Sequence, residues 1–317
     1  MGAYPLVAGE TEMAQRTAEQ TSSAALAASD EPVIGSAPRR VRRAQLMRRL
    51  IRHRGAVVGF VVLAFLVLIA LLAPFIAPYD PIAVSRTTLK PPSTQHWMGT
   101  DNFGRDIFSR VLYGTRISLR MGFIAVGIAA VFGTAIGVIA GTYGKVIDTI
   151  LMRFIDALMA FPGILLALTI AAVLGPGLTN AMIAVGIASI PTFARLVRSS
   201  VLQVKETPYV EAARAIGCTD MQMIRRHIFP NVLTPILVLA TLGIAGAILV
   251  GASLSFLGLG AQPPSAEWGA MLSQGRQFMR TAWWIMAFPG LAITITVMAA
   301  NLVGDGLRDA LDPRLKY

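Results

Sequence analysis

Apolar stretches recur along this chain at 57–77, 117–141, 151–174, 181–193, 234–257 and 283–303. About 20 apolar residues at 1.5 Å rise each cross the ~30 Å hydrocarbon core of a bilayer. Only 14% of the 317 residues are charged, and the mean hydropathy is +0.63. Such a chain reads as an all-α polytopic membrane protein with six transmembrane helices, not as a soluble core.

The stretches differ in detail. The second carries Gly133, Gly137 and Gly141 at four-residue spacing, on one helix face that allows close approach of a neighbour. The third has Arg153 and Asp156 near its start and Pro162 inside it, and Gly175-Pro176-Gly177 turns the chain afterwards. Apart from Arg153, Asp156 and Arg120, no ionisable residue falls within a stretch. Ion-coupled carriers usually need such groups at membrane depth. A bundle without them needs its energy from elsewhere.

Charge bias orients the chain. A basic run from Arg39 to Arg54 abuts the first stretch, and Arg195, Arg198, Lys205, Arg214, Arg225 and Arg226 follow in the 194–232 segment. Lys and Arg accumulate on the cytoplasmic side of membrane spans. Both termini and the 194–232 loop are therefore expected in the cytoplasm, and the 79–116 segment outside. The net charge of +11 fits this flanking role, so no nucleic acid is expected as a partner. Residues 1–45, poor in bulky apolar side chains, are expected to be disordered. The first apolar run comes too late and is too long for a signal peptide. Met47 would also serve as a start. Cys218 is expected to stay reduced, and His53, His96 and His227 match no metal-ligand spacing.

Nucleotide chemistry finds no residues. Gly144-Lys145 looks like the end of a phosphate loop, but position 139 is Ile and position 146 is Val. Gly258-Leu259-Gly260 lacks the third glycine of a dinucleotide loop. No catalytic set converges in one polar region, so an enzyme is not expected, nor a cofactor or metal.

The polar insertion at 207–230 is the informative one. Thr207-Pro208 reads as an N-cap with proline at the first helical position. Gly217 reads as a left-handed stop. Thr219-Asp220-Met221-Gln222 reads as a capping box opening a second helix, which Pro230 closes. Tyr209, Ala212, Ala213 and Ile216 share a face, and the small alanines leave room for another surface. Tethered at both ends to the membrane, this pair reads as a docking element or as a loop packed on its own bundle.

Glu211-Ala212-Ala213, Gly217 and Ile228-Phe229-Pro230 closely resemble the EAA loop of binding-protein-dependent ABC importer permeases, with Phe229 where leucine is usual. Further stretches are similar to the C-subunit type of the dipeptide/oligopeptide/nickel branch. These are His96-Trp97-Met98-Gly99-Thr100-Asp101 with Gly104-Arg105-Asp106, Leu112-Tyr113-Gly114-Thr115-Arg116, Glu267-Trp268-Gly269 and Asn301-Leu302-Val303-Gly304-Asp305. The resemblance covers about 46–317.

It implies a type I ABC importer permease fold in a bacterial inner membrane. Residues 46–115 would be the first helix with an extracytoplasmic segment, 116–306 the permease core and 307–317 a cytoplasmic tail. Implied partners are a second permease subunit, two cytoplasmic ATPases that use ATP and Mg, and an extracytoplasmic solute-binding protein. Glu211 would hold the loop, Ala212 and Ala213 would pack closely on the ATPase, and Gly217 would set the turn, with Ile228 and Pro230 ending the element. Gly99, Thr100, Asp101, Gly104, Arg105 and Asp106 would either meet the binding protein or cap the bundle; Asp101 and Asp106 are too few ligands for calcium. Peptides, nickel complexes and glutathione all remain candidate solutes.

Overall fold

The structure, a computed structural model, describes residues 53–311. The expected tail at 1–45, most of the basic run and residues 312–317 lie outside the described residues. Five helical runs are long and apolar enough to cross a membrane: α1 (Arg54–Ile76), α2 (Ile107–Tyr143), α5 (Leu178–Lys205), the run Asp220–Phe256 and α10 (Trp284–Leu311). Between α2 and α5 lie α3 (Lys145–Met159) and α4 (Gly163–Leu174), bent by 90°. Before the fourth long run comes the short α6 (Pro208–Ala215). The run itself comprises α7 (Asp220–Met223), a π-helical turn (Ile224–Ile228) and α8 (Phe229–Phe256). A short α9 (Trp268–Gly275) precedes α10.

The glycine stripe sets the central contact. A Cβ on Gly133 would lie 2.4 Å from Phe193 Cβ, one on Gly137 2.6 Å from the Ala194 carbonyl oxygen, and one on Gly141 2.7 Å from Val201 Cβ. The contacts advance along both helices in the same direction, so α2 and α5 pack in parallel. Two parallel neighbours require the chain to return between them. The broken pair α3–α4 makes that return, and it counts as the sixth crossing. The break falls at Pro162, which precedes α4 in extended backbone and cannot donate to an unbroken helix.

Hydrogen bonds define two faces. On one, Lys205 Nζ donates to the Gly141 and Thr142 carbonyls at 3.0 and 2.8 Å, binding the ends of α2 and α5 together. His53 caps α1 there, accepting from Ala56 N, and stands 3.4 Å from Asp309 on α10. On the opposite face the 77–106 segment meets α9 and the 257–283 connection, and Gly177 N donates to Leu259 O.

Several helix ends differ from expectation, for one reason: polar residues that should stop a span find partners inside the protein. The second helix starts at Ile107, ten residues early, because Asp106 caps it by accepting from Ser109 N at 2.8 Å. The fourth span does not end at 193. It runs to Lys205, since Arg195 and Arg198 pair with Asp156 and Asp148 on α3. The 194–232 loop thus shrinks to a short connection around α6. Helix α10 likewise continues through the expected polar tail to Leu311. Pro230 does not close a helix. Phe229 N donates to Ile224 O in the π turn, and Pro230 then sits in the first turn of α8, where a proline costs little.

Replacing Gly137 by Leu should force α2 and α5 apart and cost at least about 1–3 kcal/mol. Gly127, whose added Cβ would meet nothing within 4 Å, is the control. Thermal unfolding in detergent should show a lower midpoint for Gly137→Leu and an unchanged one for Gly127→Ala.

Candidate functional site

The connection between α5 and α8 is built by local signals. Thr207 stands in extended backbone before Pro208, as an N-cap does, although its hydroxyl donates back to Val204 O instead of capping. At the other end of α6, Gly217 adopts φ +87. Its N–H donates to Arg214 O, and Cys218 N–H donates to Ala213 O, satisfying two of the helix's last carbonyls. No atom lies within 4 Å of an added Cβ at Gly217, so only the left-handed backbone selects glycine here. Thr219 and Gln222 then form the reciprocal capping box, Thr219 N donating to Gln222 Oε1 at 3.0 Å.

The shared face expected for Tyr209, Ala212, Ala213 and Ile216 divides. Ala213 turns inward with Val210, at 6% and 1% exposed, and packs into the core with Met223, Ile228 and Val201. An alanine is what lets α6 lie this close to its own bundle. Ala212, Arg214 and Ile216 face out, with Ile216 at 83%. Glu211 is exposed, and among the described residues its carboxylate makes no hydrogen bond or ion pair. Within the chain the loop is tied by Tyr209, whose hydroxyl accepts from Asn231 Nδ2 at 3.0 Å while its ring lies 6.0 Å from that of His227. Residues in three different elements make this tie, and no local spacing signals it.

The 96–106 segment forms a buried cap on the opposite face. Gly99 and Gly104 have φ +76 and +73, and Thr100 bridges to Asp106. Asp101 and Arg105 are 4% and 3% exposed, so they do not offer charge to a docking protein. Asp101 accepts from Phe103 N, Arg105 N and Arg105 Nε, the last at 2.7 Å. Arg105 also donates to Gln274 Oε1 at 2.7 Å. Asp106 accepts from Ser109 and contacts His96 Nδ1 at 2.9 Å. Arg110, absent from the expected set, donates to the carbonyls of Pro81, Pro264 and Ser265. Within this chain the segment closes that end of the bundle.

The 112–116 and 267–269 motifs converge there too, whereas Gly304 of the 301–305 motif packs on Leu242 of α8. Glu267, 1% exposed, caps α9 by accepting from Gly269 N and Ala270 N at 2.9 and 2.8 Å. Burial pushes its carboxyl above the usual range, against the pull of those two N–H groups. Trp268 Nε1 donates to Val111 O, and Gly114 lies under the indole, where a Cβ would come within 2.5 Å of the ring. Trp284 Nε1 donates to Thr100 O at 3.2 Å. No group of three or more His, Cys, Asp or Glu able to hold a metal occurs among the described residues.

Comparison with known proteins adds the family. The profile described as binding-protein-dependent transport system inner membrane component matches residues 133–317, and that of the N-terminal TM domain of oligopeptide transport permease C matches 43–92. The chain belongs to the binding-protein-dependent transport permeases. A putative peptide transport system permease of Brucella abortus biovar 1 is 53% identical over 85% of this permease and 91% of the relative. A dipeptide transport system permease of Alkalihalophilus pseudofirmus is 48% identical over 86% and 90%. A glutathione transport system permease of Pectobacterium atrosepticum is 47% identical over 90% and 95%. Among solved structures, a chain of the MetNI methionine ABC transporter, in an inward-facing conformation, superposes with a TM-score of 0.53 at 22% identity. The match covers 65% of this chain and 98% of that one, and it supports the type I importer permease fold.

Removing the carboxylate in Asp101→Ala leaves the buried Arg105 and Arg110 uncompensated. Loss of one partner from a buried pair costs about 3–5 kcal/mol. The variant should show a clearly lower unfolding midpoint in detergent, or fail to accumulate in the membrane.

Proposed function

We propose that this permease is one of two membrane subunits of an ATP-driven importer for peptides, powered by two ATPases on the α6 face and supplied by a solute-binding protein on the cap face. The observation that carries the reading is α6 itself. A short helix, tied to α5 and α8 by buried side chains, presents Ile216, Ala212 and Glu211 outward with nothing covering them. An exposed isoleucine beside a free carboxylate suits a groove on a partner protein. Because Val210 and Ala213 are packed into the same core as Val201 and Val232, displacement of α6 passes to α5 and α8 together. ATP binding in the partners then biases the bundle between inward and outward access, a two-state element driven from a distant site.

Charge bias supports placing α6 in the cytoplasm. Arg214, Arg225 and Arg226 are exposed around it, and the sequence carries a further basic run, Arg39 to Arg54, before the first span. Both termini then lie inside. In this reading the permease binds neither ATP nor magnesium, and it hydrolyses nothing. The peptide assignment draws on the Brucella and Alkalihalophilus relatives. Glutathione, itself a tripeptide, is a second reading favoured by the Pectobacterium relative.

The test is uptake into proteoliposomes holding both permeases, the ATPases and the binding protein. Radiolabelled di- and tripeptides should accumulate only with ATP in the ATPase compartment. Glutathione uptake that labelled dipeptides do not reduce would favour the second reading, and uptake without the ATPases would sink both. Ile216→Asp should abolish co-purification of the ATPases while leaving the permease folded. Gly217→Trp should uncouple ATP hydrolysis from uptake, because the left-handed backbone strains a side chain by about 1–2 kcal/mol.

A further inference from the structure

Two ion pairs join α3 to α5, and they are unlike. Asp148 receives both Arg198 Nε and Nη2, one on each carboxylate oxygen, which closes the pair on itself. Its side chains are 17% and 32% exposed. Asp156 receives a single bond, from Arg195 Nη2 to Oδ1 at 2.6 Å. Among the described residues nothing engages Arg195 Nε, Arg195 Nη1 or Asp156 Oδ2, and the two side chains are 53% and 54% exposed. One pair is a closed staple. The other keeps an open fork of donors beside an open acceptor.

Position along the span makes the open pair informative. Arg195 lies about 26 Å along α5 from Leu178 by helical rise, toward the α6 end of a helix that crosses a hydrocarbon core ~30 Å thick. Exposed charge there does not face lipid tails; it faces water, headgroups or protein. The surrounding surface points to water. Thr192 lies one turn from Arg195 on the same face of α5 and is exposed, and Ser199 continues that face. Helix α5 is the least apolar of the five spans. Thr192 and Ser189 also line a cavity of about 290 Å3 among α4, α5 and α8, opposite Gly243 and Gly246; on that face its lining stops one helix turn short of Arg195. Such a volume is close to the roughly 300 Å3 lower end of ligand pockets.

We infer that this cavity and the open Arg195–Asp156 pair form a way-station for the solute, which takes short peptides by their charged ends. The peptide carboxylate meets the free edge of the Arg195 guanidinium, and the peptide ammonium meets Asp156 Oδ2. A peptide zwitterion carries one charge of each sign, as the pair does, and a charge-assisted fork suits a terminal carboxylate. The inference rests on the reading of the chain as a peptide permease, and it adds a site within that reading.

The test uses the assembled transporter in inside-out vesicles without ATP, with Cys218→Ser removing the native thiol and Thr192→Cys placing a reporter. Labelling by a charged methanethiosulfonate reagent should proceed. Millimolar trialanine should slow it, and N-acetyl-trialanine amide, which lacks both charges, should not. Arg195→Gln should raise the trialanine concentration needed for half-protection at least ~tenfold, the loss expected of a hydrogen bond to a charged group. Asp156→Asn should do the same for trialanine and leave the blocked peptide without effect. An unreactive Thr192→Cys overturns the inference, because the face is then covered by lipid or by the second permease. Equal protection by free and blocked peptide, or protection unchanged in both charge variants, overturns it as well. Uptake of peptides by the reconstituted transporter separates these outcomes from failure of the peptide reading, since uptake with an unreactive reporter removes the way-station alone.

Discussion

The parallel contact of α2 with α5 is what the rest of the bundle depends on. Two helices that run the same way and touch backbone to backbone cannot be joined by a short turn. The intervening chain has to cross back, and here it does so in two pieces, α3 and α4, set at 90°. The glycines of α2 make the contact possible by leaving no Cβ at 133, 137 and 141, where one would collide with α5. In lipid, where the solvent is as apolar as the side chains, such close packing supplies association energy that hydrophobic burial does not. The same contact brings the C-terminal ends of both helices together, where Lys205 binds the last carbonyls of α2.

Charge is handled differently on the two faces. At the cap face Asp101, Arg105, Asp106, Arg110 and Glu267 are nearly all out of water and are satisfied by one another, by backbone groups and by Gln274. That network joins segments from before α2 and after α8, and it holds the cap as one piece. Toward the α6 face the paired charges are more exposed.

What could be read from the residues followed the range of each interaction. The capping box at Thr219, the left-handed Gly217 and the glycine face of α2 are local patterns, and the structure contains each of them. The ends of α5 and α10 were not legible, because the groups that let polar residues stay helical come from residues as far away as Asp148 and His53. The orientation of Ala213 was hidden for a similar reason. A helix with small residues on two sides does not declare which side meets its own bundle. Family motifs located the cap segments without explaining them. Their common cause is spatial: Gly114, Glu267, Trp268, Asp101 and Arg105 all lie in one network or directly on its neighbours.

The π turn at Ile224–Ile228 carries a consequence of phase. Buried residues in this region fall at Met223, Ile228, Val232 and Ile236. The first interval is five residues and the next two are four. In an unbroken α-helix five residues overshoot one turn by about 140°, so Met223 would swing away from the side that Ile228, Val232 and Ile236 occupy. The wider turn absorbs the surplus residue and restores a single apolar line from α7 into α8. Deleting one residue there would therefore turn the π turn into ordinary α-helix with the buried positions four apart throughout, keeping the apolar line while removing the wide turn between α7 and α8.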